Sequence, residues 1–560
     1  MATEPTDDAE ELVYLPLGGA GEIGMNLYLY GYGPADDRRW LMVDLGVTFP
    51  GDLEPGVDII LPDTRFIEEE SDNLVGIVLT HAHEDHFGAV IDLWEDLGAP
   101  IYATAFTATL LQAKLAEYGD GLKLPIHEVE AGTPFEVGPF GLEFIAMAHS
   151  IPEPNALAIR TPAGLVVHTG DWKLDPDPVV GPPSDEARLR ALGDEGIDVL
   201  VCDSTNVFRD GISPSEAEVA RSLSEIIAGA RKRVAVTTFA SNIARIQSVA
   251  TAAHEAGREL VVVGRAMLRL IRVAKETGQL APDFKFLQQE EFAGLRPSDV
   301  VLLCTGSQGE QRAAVARIAV DQHPRVSLSP GDLMIFSSRT IPGNEKEVSR
   351  VQNALVEQGI DLVTDATALV HVTGHPRRGE LEQIYAWCRP KALIPMHGEA
   401  RHLSEHARFA RAKGIKHTLV ARNGDIVRLL PGPASIIDEA PSGRSFRDGD
   451  LILEGDDVSV RQRRKLAFVG IIVVSVVTSE NGEILSGADV IVDGVPGEDE
   501  DGVPMDEIVA SAVDGALNSI PRKRRRDPAL VREAARRAAR ASVAAAWGKR
   551  PIAKVMVHIA

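Results

Sequence analysis

The stretch Thr80-His81-Ala82-His83-Glu84-Asp85-His86 constrains this chain more than any other. Four side chains of metal-ligand type fall within six positions, directly behind the apolar run Gly76 to Leu79, which reads as a buried strand. A lone histidine is usually structural. Three histidines and an aspartate at this spacing make poor core filler. His81 and His83 alternate, so in an extended loop both can face one ion. Asp85 and His86 follow at a helix start and can turn towards a second. Zinc suits imidazole and carboxylate, and a catalytic site leaves a position open for water.

The surrounding pattern says where such a site would sit. Leu41 to Val43, Gly76 to Leu79, Leu165 to Val167 and Val199 to Val201 read as buried strands, followed by Asp44, His81, Asp171 and Asp203. Functional residues just past strand ends converge on one rim of a layered α/β architecture. From Pro214 to Val370 strand and helix alternate. Val234 to Thr238, Leu260 to Val263, Val300 to Leu303 and Leu333 to Phe336 read as strands of an inserted parallel sheet, and Ser241 reads as an N-cap. A helix over Arg378 to Trp387 and a strand over Ala392 to Ile394 lead to His397. His149 also follows a strand-like run. Leu430 to Ser442, rich in Pro, Gly and Ala, reads as a linker before a smaller unit holding an acidic loop (Glu498 to Asp501), an Arg/Ala-rich helix and a closing strand.

Leu466 to Val477, the longest apolar run, falls short of the roughly 18 residues a membrane helix needs. It is β-branched and reads as a strand entering a hairpin at Asn481-Gly482. The acidic, polar N-terminus carries no secretory signal pattern. The three cysteines, Cys202, Cys304 and Cys388, lie far apart and suit reduced, buried thiols in a cytoplasm. The net charge of −25 opposes nucleic-acid binding through bulk charge. Charge acts locally, however, and basic clusters stand at Arg461 to Lys465 and Arg522 to Arg526, each of which also reads as a solvated face.

Asp44, His81-x-His83-x-Asp85-His86, His149, Asp171 and His397 together resemble the metallo-β-lactamase superfamily. Further motifs narrow the resemblance: Leu17 to Asn26, Cys202-Asp203-Ser204-Thr205-Asn206, Phe239-Ala240-Ser241-Asn242, His371-Val372-Thr373-Gly374-His375 and Pro395-Met396-His397-Gly398-Glu399. Over about Val13 to Arg428 the chain is similar to the bacterial ribonuclease J family of β-CASP nucleases. The terminal unit matches only in size and general pattern. Val372 and Thr373 stand where relatives commonly carry Ala and Ser, and Ala82 where many carry Gly. These departures bear on fine substrate preference rather than on the chemistry.

The resemblance implies an α/β fold: a metallo-β-lactamase αββα sandwich with an inserted parallel β-CASP domain and a small α+β C-terminal domain. The expected division is 1–213 for the first part of the lactamase domain, 214–370 for the insertion, 371–430 for the part completing the lactamase domain, 431–449 for the linker and 450–560 for an oligomerisation domain. It further implies two zinc ions per chain, with manganese or magnesium in support. His81, His83 and His149 would hold one; Asp85, His86 and His397 the other; Asp171 would bridge them, and Asp44 would orient ligands from behind. Asp85, Asp203 and His375 are the expected catalytic residues. Ala240, Ser241, Asn242 and the run His371, Val372, Thr373, Gly374, His375 would touch substrate phosphate. His375 is the candidate for stabilising phosphate charge or protonating the leaving oxygen.

The implied activity is 5′-to-3′ exonucleolytic and endonucleolytic cleavage of single-stranded RNA, with a preference for a 5′-monophosphate, in mRNA decay and ribosomal RNA maturation. A homodimer or tetramer is implied, with neither membrane nor nucleotide cofactor. Gly19-Ala20-Gly21-Glu22-Ile23-Gly24 fits a dinucleotide pattern, but a strand, Asn26 to Tyr30, follows where that fingerprint requires a helix. Gly306-Ser307-Gln308-Gly309 lacks the spacing of a nucleophile elbow; its serine reads as a helix cap or phosphate contact. The alternatives are a lactamase-fold hydrolase of a small ester or thioester, a DNA nuclease, and a non-catalytic RNA-binding subunit.

Overall fold

The structure, a computed structural model, describes residues 10–119, 121–341 and 343–560. Two compact units emerge: one runs up to Thr48 and from Ile60 to Ser445, the other combines Phe49–Ile59 with Phe446–Ala560.

In the first unit, side chains alternating along strands build one core between two sheets. Leu12 and Tyr14, Tyr28 and Tyr30, and Leu41 and Val43 come from an eight-stranded sheet. Phe140, Leu142 and Phe144, Leu157 and Ile159, and Val199 and Val201 come from a seven-stranded one. Each such burial contributes roughly 1.5–3 kcal/mol. Helices Glu186–Glu195 and Arg378–Cys388 cover the outside of the seven-stranded sheet through Leu189, Leu192, Leu381 and Ile384. Helices Val90–Leu97 and Ala105–Tyr118 belong to the other half of this αββα sandwich.

The insertion is a six-stranded, wholly parallel sheet. Its order is Leu287–Gln288, Glu259–Val263, Val300–Cys304, Val234–Thr237, Leu333–Phe336, Asp361–Val363. Its strands are continuous apolar runs because helices cover both faces.

The second unit is a three-stranded sheet in the order Asp489–Asp493, Ile471–Thr478, Ile552–Ile559. Ile472, Val474 and Val476 face Val509, Val513 and Leu517 of helix Met505–Ser519 and Val531, Ala535, Ala539 and Val543 of helix Pro528–Trp547. Spacings of four along both helices give each one apolar stripe.

Four local readings need correction. Leu466 to Val469 ends the helix Val458–Val469; Gly470, at φ +67°, breaks the run, so the strand starts at Ile471. The supposed linker contains strand Ser435–Glu439, antiparallel to Asp425–Leu430, because a β-branched Ser-Ile-Ile follows the Pro-Gly-Pro turn. Asn242, not Ser241, caps helix Ile243–Glu255, accepting from the Arg245 amide. Ser307 caps no helix; the next one starts after Ala313.

Candidate metal centre

Parallel pairing brings the site residues together. Strands Gly164–His168, Val199–Asp203 and Ala392–Met396 are neighbours running the same way, so their C-terminal ends share one edge, where Asp171, Asp203 and His397 lie. In the opposite sheet, Arg39–Val43 and Leu74–Val78 are likewise parallel and deliver Asp44 and His81. Asp44 and His397 adopt φ +62° and +50°, a region other than glycine rarely enters, and such conformations cluster at functional sites.

Donor atoms converge in two main groups, with a third, His149, Asp171 and His375, overlapping both. His81, His83 and His149 form one; Asp85, His86, Asp171 and His397 form the other. His83 Nδ1 lies 3.1 Å from His81 Nε2 and 3.0 Å from His149 Nε2. In the second group, Asp171 Oδ2 is 3.1 Å from His86 Nε2 and 3.4 Å from His397 Nε2, while Asp85 Oδ2 is 3.7 Å from His86 and 3.9 Å from His397. Asp171 Oδ2 also lies 3.9 Å from His149 Nε2, so this carboxylate reaches both groups.

What each ring does with its Nδ1 settles which nitrogen faces the cluster. His149 Nδ1 donates to the Gly374 carbonyl at 2.6 Å, His86 Nδ1 to Asp44 Oδ2 at 2.7 Å, and His397 Nδ1 to Asn26 Oδ1 at 2.8 Å. All three partners are oxygens that only accept, so each proton sits on Nδ1 and Nε2 faces the cluster. Asp44 is itself held by the Thr80 amide and hydroxyl, both at 2.8 Å. Gly374 must lack a side chain, because a Cβ there would stand 2.5 Å from the His149 ring.

Electrostatics agree with a cation site. Burial drives the His81, His83 and His149 rings towards neutrality, His83 down to about 4. Neutral imidazole is the form that ligates. Burial also pulls on His86, but Asp171, Asp85 and Asp44 overcome it and raise its pKa well above 6.5. These carboxylates therefore demand positive charge. Asp171 Oδ1 is buried without any hydrogen-bond partner. Such an orphan is costly in a closed interior. The inward-facing Nε2 atoms of His86, His149 and His397, an unpartnered carboxylate oxygen and a donor set of imidazoles and carboxylates fit divalent metal of the zinc type.

Beside this cluster, His375 Nδ1 is 2.8 Å from Asp203 Oδ2 and 3.8 Å from Asp171 Oδ2. Burial opposes its protonation, yet Asp203 and Asp171 lift its pKa to about 9. Thr373 Oγ1 accepts from Asn206 Nδ2 at 2.7 Å, which ties the 371–375 loop to the Asp203 loop. His371 Nδ1 is buried without a partner, Val372 is buried, and Ala240 and Ser241 are half-buried. Asn242 is buried and its Oδ1 is taken by the cap.

Sequence reasoning gave Asn26 no role, although it ends the Leu17 to Asn26 motif. It is fully buried. Its Oδ1 accepts from His397 and, at 2.7 Å, from the Tyr28 hydroxyl, and its Nδ2 donates to the Asp85 carbonyl at 2.9 Å.

Four family models match: Beta-lactamase superfamily domain over 52–238, Ribonuclease J, beta-CASP domain over 231–355, Zn-dependent metallo-hydrolase RNA specificity domain over 359–420 and Ribonuclease J C-terminal domain over 458–559. Ribonuclease J of Sinorhizobium meliloti is 51% identical, covering 98% of this chain and 97% of the relative. Those of Corynebacterium glutamicum (37%, covering 98% and 76%) and Mycolicibacterium smegmatis (39%, covering 96% and 95%) are similar over comparable spans. A solved structure of a protein of unknown function from Enterococcus faecalis V583 shares the fold at TM-score 0.52 and 15% identity, covering 75% of this chain and 100% of that one.

Proposed function

This chain belongs to the ribonuclease J family, and on that premise we propose that it degrades single-stranded RNA from a 5′-monophosphate end in the 5′-to-3′ direction, with endonucleolytic cleavage beside it. It is a metal-dependent ribonuclease of the lactamase fold. The observation that carries the reading is the convergence of His81, His83 and His149 and of Asp85, His86 and His397 on the two sides of Asp171, whose Oδ1 has no partner. The same complete set of donors speaks against a non-catalytic subunit.

His81, His83 and His149 would hold one zinc, Asp85, His86 and His397 the other, and Asp171 would bridge them. When bound, such a pair supplies Lewis acidity that neutralises phosphate charge and lowers the pKa of water towards neutrality. The chain does the rest. Asp44, Asn26 and the Gly374 carbonyl fix which nitrogen of each ring faces inward. Asp203 holds His375 in its protonated form beside Asp171. His375 would stabilise charge on the scissile phosphate or give its proton to the departing 3′-oxygen, leaving a 5′-phosphate on the product. Ala240, Ser241 and the N-terminal amides of helix Ile243–Glu255 would cradle the next phosphate, with His371 and Thr373 as further donors.

Among the described residues no helix is long and apolar enough to cross a membrane, and the three cysteines are free and buried. Work in the cytoplasm on mRNA decay and ribosomal RNA maturation, as a dimer or tetramer, belongs to the same proposal. The test is digestion of 3′-labelled single-stranded RNA carrying a 5′-monophosphate or 5′-triphosphate, with and without chelator. Chelator-sensitive release of mononucleotides from the monophosphorylated form is expected. No cleavage of either form by metal-loaded protein would overturn the reading.

A further inference from the structure

The two basic clusters of the C-terminal unit differ in what they hold. Arg522 and Arg526 close the hairpin turn: Arg522 Nη2 donates to Glu483 Oε2 at 2.9 Å, its Nε to the Asn481 carbonyl, and Arg526 to Asn481 Oδ1. The Arg525 Nε donates to the Ile520 carbonyl. That cluster is largely consumed by the fold.

The other cluster is not. It lies on helix Val458–Val469, where Arg461, Arg464, Lys465 and Phe468 follow at i, i+3, i+4 and i+7 and share one face over about 10 Å. All four are exposed, Phe468 by 68%. Among the described residues of this helix only Arg463, off this face, has an ion pair, with Asp448. The acidic Asp457 at the helix start accepts from the Ser459 amide; Ser459 lowers its pKa most, and Arg461 and Arg463 lower it further without an ion-pair contact to Arg461. Lys549 extends the face. Its Nζ stands 4.5 Å from the Phe468 ring centroid and donates to the Phe468 carbonyl at 3.2 Å, so it pins one side of the ring, and exposed Arg550 follows.

We propose that Arg461, Arg464, Lys465, Phe468 and Lys549 form a binding surface for single-stranded RNA that shares no residue with the cleavage site. In a chain of net charge −25, unpaired cations gathered on one face select an anionic partner locally. Cations spaced along one line suit a phosphate backbone. An exposed aromatic ring among them, pinned by a lysine, suits the face of an unstacked base, which a folded protein partner or a membrane would not present. The substrate class rests on the ribonuclease reading; the surface itself does not.

The test uses the full chain, chelator-treated to prevent cleavage, and single-stranded RNA of about 20 nucleotides, read by fluorescence anisotropy across a salt series. Arg461→Ala, Arg464→Ala and Lys465→Ala combined should weaken binding about tenfold and make the salt slope shallower by about 2, at roughly 0.7 per lost phosphate contact. Phe468→Ala should weaken binding about fivefold with the slope unchanged. The metal-loaded triple variant should cleave a short oligonucleotide at the wild-type rate, because none of the three residues belongs to the cleavage site. Unchanged affinity and slope in the triple variant would overturn the proposal, as would an unchanged slope together with a change in oligomeric mass, which would make this face a contact between copies. A wild type that binds through this surface yet cleaves no RNA would sink the enzymatic reading and leave the surface standing.

Discussion

Two buried polar clusters begin only two residues apart in the chain, at Asp171 and Lys173, and they resolve their charge in opposite ways. Around Lys173 the charges balance within the chain, although Lys173 Nζ, Glu216 Oε1 and Arg245 Nε have no hydrogen-bond partner. Lys173 Nζ is 2.9 Å from Asp175 Oδ2, and Arg245 Nη2 is 2.9 Å from Glu216 Oε2. Arg245 also donates to Ser337 and to the Val370 carbonyl. Two cations meet two carboxylates, all at least 97% buried. Around Asp171 the carboxylates meet only histidines, with no lysine or arginine in ion-pair reach among the described residues, and Asp171 Oδ1 has no partner. Asp171, His81, His86, His149 and His397 are as deeply buried as the Lys173 cluster, with Asp85, His83 and His375 at the open side. The difference is that one carries its own cations and the other leaves room for cations from outside. Burial alone therefore does not mark a site; an unmet demand for charge does.

The largest effect should come from destroying that demand. His81→Ala with His83→Ala should lower RNA hydrolysis by at least about 1,000-fold, while far-ultraviolet circular dichroism and the urea midpoint stay near those of chelator-treated wild type. A variant that still hydrolysed RNA at the wild-type rate would end the metal reading. The closed cluster should respond in stability instead. Arg245→Met leaves the buried Glu216 carboxylate only Lys173, 3.7 Å from its Oε1 and already paired with Asp175, and should cost roughly 3 kcal/mol in urea unfolding, part of which adding Glu216→Gln should recover. Zinc bound per folded chain should not change.

Asn26 sharpens the comparison further. Asn26→Ala removes the acceptor that orients His397 and should weaken zinc binding about 10- to 100-fold in chelator competition. Equal affinity in the two proteins would show that packing alone positions His397. The smallest effect is a pH dependence. Burial opposes the ionised form of Glu216, but Arg245 and Lys173 outweigh it and hold its pKa below 4.5. The unfolded chain then binds the proton more readily. This contribution is thus fully present above about pH 4.5 and is lost as pH falls through the folded value. Unfolding followed between pH 7 and the acid range should show that loss in the wild type and a smaller one in Glu216→Gln.

Much of the fold was legible because strand periodicity and strand-end residues are local. The strands ending at Val43, Val78, His168 and Asp203 and the parallel insertion lie where the apolar runs put them, within a residue or two. Misreadings fell where one apolar run crosses a boundary. Leu466 to Val477 looks continuous, yet Gly470 divides helix from strand, and composition alone does not weigh one glycine against eleven apolar or small neighbours. Ser241 and Asn242 are both good caps; the backbone turn chose the second.

At the site, the cluster His81 to His86 was readable by itself because its donors are adjacent in sequence. Asn26 was not, since an asparagine beside a glycine-rich turn has no signature until His397 is brought 371 residues back to it. The sequence by itself determined the donor types, their strand-end positions and the family. Only the tertiary structure decided which nitrogen of each ring faces inward, that Asp171 reaches both groups and that its Oδ1 stays unpartnered. The physical reason is that donor chemistry is carried by each residue alone, whereas direction and unmet charge belong to contacts between segments far apart in the chain.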